Sequence, residues 1–462
     1  MTDLLQKRFA TVAGRIAGEA LSAGRFDSAV TAKAKLCLID YLACALESRD
    51  LPWAAQAAAI VADASPGAAL IGRTRRASAG DAAFANAVAG HGLVREDMHT
   101  GSIAHLGVVV WPAIMAVAAT RKVSGAALID AAIVGYEVGA RIGRALMTAE
   151  LARLFRPTGL VGAMAAAVAV SRLYGLSADQ TLNALSLAAN ASGGLNQWPH
   201  TGGSEMYFHP GFAARSGIMA ADLAKADAIA SDDILEGEAG LFRAYARRPL
   251  DGGITLFSGG TAEILSVFNK AVPACNFAQT PCQAALEASG KRDGHRVESI
   301  HIAASDAALR YPGCNAAGPF DYALQAKMSI LFGVAAAIAR GAIAEDNYSR
   351  LDDPEIARLI GVTTLVADPA YTAAFPGRQG ATVTLGLANG AKVSASLDDV
   401  VPADPELIRS RFVGAASAVL GAAQADQMLN LIDTLENEPD CSRLDALCAP
   451  SGAAAPLRQA VS

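Results

Sequence analysis

The sequence predicts a mainly α fold, with a large all-helical domain and a smaller α+β lid domain. Apolar residues recur at helical spacing through most of residues 1–265, whereas strand-like alternation is confined to residues 266–404. Helical periodicity returns at residues 405–436, which we expect to pack back onto the first domain. Residues 405–462 are therefore assigned to the helical domain together with residues 1–265.

Two segments of the first domain have a clear helical period. Residues 28–46 and 124–147 carry apolar residues at i, i+3, i+4 and i+7, and Ser124 is a candidate N-cap of the second helix. These segments predict amphipathic helices that pack against a common core.

Residues 158–176 are apolar nearly all round, which predicts a helix buried on every side. Residues 176–181 (LSADQT) predict a helix stop and a restart. Residues 184–194 predict a helix that ends at a glycine pair, because glycine favours the backbone conformation that closes a helix.

The α+β domain is predicted from three strand signals. Residues 296–304 and 360–367 alternate between apolar and polar residues. Residues 382–397 contain two alternating runs around Asn389-Gly390, which predicts a hairpin with a type I′ turn. Residues 324–343, between the strands, predict one buried helix.

Composition and charge exclude several classes of protein. The chain has 462 residues, of which 52% are hydrophobic and 18% are charged, so it is too apolar to be disordered. The net charge is −6 and the densest basic segment is RTRR at 73–76, which argues against a nucleic-acid partner. We see neither a signal-peptide pattern nor a transmembrane segment, and we expect a cytoplasmic protein that binds no membrane.

Seven cysteines at irregular spacings do not form the pattern of a disulfide framework. Cys37 and Cys44 lie seven residues apart on one predicted helix face and are interpreted as small core residues. No CxxC pair or other zinc-ligand spacing occurs, so no metal site is predicted.

Seven short motifs follow one another along nearly the whole chain. They are His91-x(5)-Asp97…His105 with Pro112-Ala113, GYEVGARIGRAL (135–146), PTGLVGAMAAA (157–167), HPGFAARSGIMAADLA (209–224), ILEGEAGLF (234–242), NKAVPAC (269–275) and AKMSI (326–330). In this order they resemble the motifs of the MmgE/PrpD family, which includes 2-methylcitrate dehydratase, cis-aconitate decarboxylase and iminodisuccinate epimerase. The resemblance implies a homodimer, a small-molecule carboxylate substrate, and chemistry without a cofactor.

The chemistry that this resemblance implies is proton removal from a carbon beside a carboxylate or carbonyl group. It needs a base, groups that stabilise the developing negative charge, and an acid. The matching motifs imply Asp97, His105 and Lys270 as catalytic residues, and they suggest Tyr311 as a further one.

The residues themselves allow more than one interpretation. His105 borders a buried apolar run, where desolvation would keep the imidazole neutral and basic, or it is a hydrogen-bonded core histidine. Lys270 lies in the apolar stretch SVFNKAVPAC and is interpreted as a carboxylate anchor, the alternative being a surface lysine.

The chain departs from the family pattern at several positions: Val94 replaces an aspartate, Leu106 a proline, Arg156 the histidine of an FHPT motif, Met206 a lysine and Cys275 a histidine. Arg156 cannot act as a base near neutral pH, but a guanidinium can clamp a substrate carboxylate. Met206 removes a cation from the substrate-binding set. Cys275 is a candidate proton-transfer thiol if Lys270 lowers its pKa, or it is an inert buried thiol.

Further residues are expected to bind substrate. His99 either lines the same cleft or lies on an exposed loop. Residues 196–209 (NQWPHTGGSEMYFH), which include Met206 and His209, form either a pocket wall or an ordinary connecting loop, and their histidine spacing matches no standard metal site. Lys327 on the lid helix has either an anion-binding or an ion-pairing role.

Three functions fit these residues. The first is a lyase of the 2-methylcitrate dehydratase type that acts on a small polycarboxylate or hydroxy acid. The second is an epimerase or isomerase that uses the same proton transfer and needs no leaving-group acid. The third is a catalytically inactive homodimer with a binding role, against which the retained Asp97, His105 and Lys270 argue.

Overall fold

The computed structural model describes residues 7–451 and has the predicted fold class. It is mainly α-helical, with a smaller α+β domain built around one four-stranded sheet. The exact division of the chain at residues 265 and 405 stays a prediction. No helix in the described part of the chain combines the length and apolarity that crossing a membrane requires.

The large domain is a packed set of helices. They are Val12–Ser22, Ser28–Ser48, Pro52–Ile60, Ala79–His91, Gly107–Ala118, Gly125–Leu146, Ala149–Leu154, Pro157–Tyr174, Ala178–Ala189, Trp198–Thr201 and Glu205–Lys225. The expectation that this part is almost wholly helical is only partly right. Asp63–Ala69 pairs with Arg76–Ala77, and Met98–His99 pairs with Val267–Phe268. Residues 226–265 contain little regular structure beyond short turns of helix.

The helix Pro157–Tyr174 lies at the centre of this domain, as its apolar sequence predicts. Every residue from Pro157 to Ser171 is buried, and five other helices of the described chain pack around it. Close approach depends on small residues: a Cβ on Gly217 would lie 2.8 Å from the Ala163 carbonyl oxygen. The helix therefore supplies a rigid floor for the residues at its N-terminal end.

One predicted helix start is confirmed, and one predicted helix end is wrong. The Ser124 side chain accepts a hydrogen bond from the Ala127 N–H and caps Gly125–Leu146. The helix expected to end at the glycine pair already ends at Ala189, four residues before Gly193. Asn190 follows in helical conformation and bonds back to Leu187, so no glycine is needed to close the helix.

The α+β domain contains the predicted strands. Their order across the sheet is Thr363–Ala367, Val297–Ala304, Ala381–Leu387 and Lys392–Leu397. The first two strands are parallel and the others are antiparallel. The helices Gln279–Gly290 and Ile330–Arg340 pack together beside the sheet, and the shorter helices of this part are Asp306–Arg310, Ala323–Met328, Pro354–Gly361 and Pro369–Ala374.

Two local predictions for this domain are wrong. In the hairpin, Gly390 has a φ of 83° but Asn389 has no positive φ, whereas a type I′ turn needs both. The Gly390 N–H donates to the Leu387 carbonyl, which makes a three-residue loop with glycine in the left-handed position. The single helix predicted for residues 324–343 is two helices, because the chain is extended at Ser329, whose hydroxyl caps the second helix.

The C-terminal helices Pro405–Leu420 and Ala422–Asp433 are separated at Gly421, and Ser442–Leu447 follows them. The first of them packs against Ser28–Ser48 of the helical domain, as predicted. The chain thus returns to the large domain after the sheet. The remainder of the predicted tail, from residue 452, lies outside the described residues.

Candidate active site

A buried loop between the helices Ala79–His91 and Gly107–Ala118 carries the central side chains of the site. Val94 in this loop has a φ of 57°, which β-branched residues rarely adopt. Two buried lysines of the α+β domain hold the loop by its carbonyl groups: Lys270 Nζ lies 2.9 Å from the Val94 oxygen, and Lys327 Nζ lies 2.9 Å from the Leu93 oxygen. The α+β domain therefore fixes the loop of the helical domain.

Glu96 joins two histidines through one carboxylate oxygen. Its Oε1 lies 2.5 Å from Nδ1 of His91 and 2.8 Å from Nδ1 of His105. The same His105 nitrogen is 3.0 Å from the Asp97 carbonyl oxygen. All three side chains are almost completely buried.

These contacts define the protonation state of the group. Burial opposes a charge on Glu96, but electrostatic attraction to His91 and His105, together with hydrogen bonding to them, outweighs burial and holds the Glu96 pKa well below its ordinary value. Burial also lowers the pKa of His105 to about 3, with the Lys270 charge adding to the effect. His105 is therefore a neutral imidazole that donates its Nδ1 proton to the Asp97 carbonyl oxygen, close to Glu96, and its Nε2 carries the free lone pair.

Nε2 of His105 has no hydrogen-bond partner in the described part of the chain, and His105 lines a narrow cavity. Six of the ten predicted site residues line this cavity: His105, Arg156, Met206, Lys270, Cys275 and Tyr311. Residues of both domains line the cavity, which therefore lies where the domains meet.

Two cations in the cavity wall lack an anionic partner. Arg156 and Lys270 are at most 5% exposed, and neither forms an ion pair with a carboxylate of residues 7–451. Arg156 Nη2 lies 3.1 Å from Nε2 of His91, while its Nε has no partner. Lys270 Nζ donates to the Val94 and Ala274 carbonyl oxygens, which leaves one of its three protons unused. Because buried charges are normally paired, this wall is built to receive an anion.

Arg156 gains its position from the fold. It is the residue before Pro157, where the central helix Pro157–Tyr174 begins. The guanidinium N–H donates to Nε2 of His91, which fits a His91 proton on Nδ1. The arginine thus extends the hydrogen-bonded chain from Glu96 to the cavity.

The thiol of Cys275 faces the same cavity. Its Sγ lies 3.7 Å from Sγ of Cys314. A hydrogen bond from Cys314 lowers the Cys275 pKa to about 7 against the effect of burial, and the Lys270 charge acts in the same direction. This lowered pKa favours the proton-transfer alternative for Cys275, which stays a prediction.

The structure places Asp97 and His99, two predicted site residues, outside the cavity wall. The Asp97 carboxylate accepts hydrogen bonds from the Tyr136 hydroxyl and the Gly107 N–H, and so holds the first turn of Gly107–Ala118. His99 Nδ1 contacts the Ser102 hydroxyl at 2.8 Å and its Nε2 contacts Glu263 Oε2 at 2.9 Å. Both side chains therefore stabilise the loop without lining the cavity.

Lys327 and His209 also lie outside the wall. Lys327 is fully buried and pairs with Glu345 at 2.7 Å, which agrees with the ion-pair alternative for this residue. His209 lies beside Arg156, its Nδ1 has no partner, and burial lowers its pKa to about 4. It supports the wall, whereas Met206, one turn earlier on the same helix, contributes to it.

His91, Glu96 and His105 also place three potential metal ligands within 4.8 Å of one another. The separations of 2.5 and 2.8 Å are hydrogen-bond distances, and the cations of Arg156 and Lys270 would repel a divalent ion. The residues therefore fit a shared proton network better than a metal.

Two open grooves border the cavity from outside, with about 1410 and 1170 Å³ of empty space. Tyr311 lines both grooves and the inner cavity, and Ile103 and Phe277 line the cavity and the second groove. These three side chains form the partition between the outer grooves and His105. A ligand that enters from the grooves must displace them.

Sequence reasoning did not select Glu96 or His91 as functional residues. Glu96 stands between Arg95 and Asp97, a pattern that also fits a solvated loop. The sequence feature that could have identified them is a pair of histidines, His91 and His105, on either side of the carboxylate of Glu96. Only the fold shows that Arg95 pairs with Glu47 while Glu96 contacts His91 and His105.

Comparison with known proteins gives a consistent picture. Residues 15–251 match the MmgE/PrpD N-terminal domain, and residues 272–437 match the MmgE/PrpD C-terminal domain. The chain is 27% identical over 467 residues to the cis-aconitate decarboxylase-like protein oryM of Aspergillus oryzae, covering 90% of this chain and 92% of that protein. It is 32% identical over 223 residues to a cis-aconitate decarboxylase of Aspergillus terreus, covering 46% and 45% of the two chains. The human cis-aconitate decarboxylase is 32% identical over 171 residues, which cover 36% and 35%.

Proposed function

Since this chain belongs to the MmgE/PrpD family, we propose that it is a lyase that acts on a small polycarboxylate, with His105 as the proton-transferring residue. One observation carries the proposal. Two buried cations without a carboxylate partner, Arg156 and Lys270, share a cavity with a neutral histidine whose Nε2 is free. Such a wall binds anions and exchanges a proton with them.

The charges of the wall favour a substrate with at least two carboxylates. Arg156 offers a planar guanidinium for one carboxylate, and Lys270 offers a single remaining N–H for another. Burial of both cations makes their attraction stronger than it would be in water. Met206, where the family pattern has a lysine, leaves an apolar patch in the wall that suits an uncharged part of the substrate.

His105 is a weak base in the empty cavity because its pKa is about 3. A bound polyanion would place negative charge near the imidazole and raise that pKa, so the base becomes effective when the substrate is present. Once Nε2 takes the proton, the negative charge of Glu96, whose Oε1 lies 2.8 Å from Nδ1, stabilises the imidazolium. Glu96 itself keeps its negative charge throughout.

Decarboxylation is the reaction to test first, because the relatives named above are cis-aconitate decarboxylases or resemble them. Loss of carbon dioxide leaves an electron pair on carbon, and this carbon must receive a proton. His105 in its protonated form, or the Cys275 thiol, is placed to supply it. Dehydration requires the opposite first step, in which His105 removes the proton and a hydroxide leaves.

An epimerase is the second candidate, and one feature favours it. Cys275 gives the cavity a second ionisable group with a pKa of about 7. An epimerase needs one group to remove the proton and another to return it. The same two residues would then serve as the proton-transfer pair.

Proton NMR in D2O distinguishes these reactions. The protein is mixed with cis-aconitate, citrate, 2-methylcitrate, or amino- and hydroxysuccinates. A changed alkene spectrum with release of carbon dioxide indicates decarboxylation, a new alkene signal from a saturated acid indicates dehydration, and loss of a Cα–H signal alone indicates epimerisation. No change with any acid, together with no change in thermal stability, would contradict the proposal.

The homodimer and the cytoplasmic location implied by the sequence remain predictions. Phe212, Met219 and Leu223 are 56%, 56% and 45% exposed along the helix Glu205–Lys225. This apolar stripe is a candidate contact for a second copy. Light scattering after gel filtration, with Met219→Glu as the variant, tests the homodimer, and a monomer at all concentrations would exclude it.

A further inference from the structure

The backbones of Cys275 and Cys314 are both hydrogen-bonded to the segment 327–330. The Cys275 N–H donates to the Lys327 carbonyl oxygen at 2.8 Å, and the Ile330 N–H donates to the Cys314 carbonyl oxygen at 2.9 Å. Lys327 and Ile330 flank the break between the two helices at Ser329. These backbone hydrogen bonds hold the two cysteines next to each other, and their sulfur atoms lie 3.7 Å apart.

All seven cysteines lie in the described part of the chain and are buried, unpaired thiols. Among them, Cys275 and Cys314 form the one pair whose sulfurs are in hydrogen-bond contact. A disulfide has an S–S bond of about 2.0 Å. The two sulfur atoms, which lie 3.7 Å apart, must therefore approach each other by about 1.7 Å to form one. No other pair in residues 7–451 is set up in this way.

The two thiols differ in reactivity. Cys275 lines the cavity, and its pKa is about 7 because Cys314 donates a hydrogen bond to it and Lys270 lies nearby. Cys314 is fully buried, and burial raises its pKa well above the ordinary value. Because the thiolate is the nucleophile, Cys275 is the thiol that reacts with an electrophile in the cavity.

We propose that Cys275 and Cys314 form an oxidation site for peroxide, in which the two sulfurs join as a disulfide in the wall of the cavity. The Cys275 thiolate attacks one oxygen of hydrogen peroxide, the O–O bond breaks, and the products are Cys275 sulfenic acid and hydroxide. The Cys314 thiol then gives its proton to hydroxide. Its sulfur attacks the Cys275 sulfur, the S–O bond breaks, and the oxygen leaves as hydroxide, which becomes water with the proton that Cys275 released when it ionised. In total, two thiols and one peroxide give one disulfide and two waters.

The disulfide would change the cavity that holds His105. It removes the ionisable thiol of Cys275 and ties this residue to the turn that runs from Tyr311 to Cys314. Tyr311 belongs to the partition between the cavity and the outer grooves. Formation of the bond does not depend on the proposed function, whereas its effect on polycarboxylate binding rests on it.

The test uses the reduced full-length chain and one equivalent of hydrogen peroxide. The protein is alkylated, digested without reductant and mapped by mass spectrometry. We expect one cross-linked peptide that joins Cys275 to Cys314, a fall in free thiols from seven to five, and full reversal by dithiothreitol. Seven intact thiols, or a disulfide between other cysteines, would overturn the proposal.

Variants assign the two roles. Cys314→Ser should stop the reaction at Cys275 sulfenic acid, which dimedone traps, whereas Cys275→Ser should leave Cys314 reduced. Cys282→Ala is the matched control, since Cys282 is equally buried in the same domain but its sulfur contacts no other. Loss of the cross-link in Cys282→Ala, or trapping of Cys314 rather than Cys275, would contradict the assignment. Should a variant not fold, the map of the unaltered chain still decides whether the disulfide forms.

Discussion

Nδ1 of His105 lies 2.8 Å from Oε1 of Glu96, and the other ring nitrogen is free to face the cavity. The Asp97 carbonyl oxygen accepts the Nδ1 proton at 3.0 Å and so fixes the tautomer and the orientation of the imidazole. Glu96 provides a negative charge that stabilises the ring after it takes a proton. The ability of His105 to transfer a proton therefore depends on a residue that does not line the cavity.

Glu96→Gln is expected to lower kcat by about 100-fold, within the range of general acid–base catalysis. The amide keeps the shape of the side chain but loses the charge that stabilises the imidazolium. KM should change little, because Glu96 does not contact the substrate. The exposed Glu298→Gln is the control, and an unchanged kcat in Glu96→Gln would exclude the positioning role.

His105→Ala and His99→Gln separate the two histidines of the loop. The first should reduce deuterium incorporation by at least about 100-fold, since it removes the proton-transferring group. The second should keep activity but lower the free energy of unfolding by about 1–3 kcal/mol, because it disturbs the buried contact with Glu263. Urea denaturation and NMR exchange are measured on both variants, and the reverse pattern would move the base to His99.

Arg156→Gln is expected to weaken polycarboxylate binding by about 10–100-fold, the loss of one strong charge-assisted contact. kcat should fall much less, because Arg156 binds the ground state as well as the transition state. Calorimetry with citrate gives the affinity directly, and Arg121→Gln, at a distant surface contact with Tyr174, is the control. Equal affinity in Arg156→Gln and the control would remove Arg156 from the binding wall.

The lowered pKa of Lys270 predicts that substrate binding depends on pH. Burial lowers its pKa to about 8, so the ammonium is charged below that pH and neutral above it. Affinity for a polycarboxylate should therefore decline as pH rises through 8. Lys270→Arg keeps its charge and should move this decline to a much higher pH. The titration is best done with Cys275→Ser in both proteins, because the Cys275 thiolate also titrates near pH 7. Identical profiles for lysine and arginine would show that Lys270 is not the titrating group.

Periodicity was sufficient to predict the large elements of the fold but not their interruptions. The all-apolar segment at 158–176 could only be a buried helix, and the structure confirms it. The break at Ser329 could not be inferred, because it depends on a capping hydrogen bond inside a continuous apolar pattern. The hairpin turn was misjudged for a similar reason, since Asn-Gly fits more than one turn type.

The motifs and the chemistry of their side chains were sufficient to predict several residues that line the cavity. His105, Lys270 and Arg156 meet in one cavity although they are separated by many residues. The sequence does not distinguish the roles of Asp97 and Glu96, because nothing in it indicates that these neighbouring carboxylates contact different partners. Which neighbour turns inward depends on the loop conformation that Lys270 and Lys327 hold.

The central claim is that His105 is a neutral imidazole with its proton on Nδ1 and a free Nε2. Nitrogen-15 NMR of histidine-labelled protein, assigned with His105→Gln, measures this directly. We expect the Nδ1-protonated neutral form at neutral pH without ligand, and a higher His105 pKa when citrate is bound. A proton on Nε2, or an imidazolium at neutral pH in the empty protein, would contradict it.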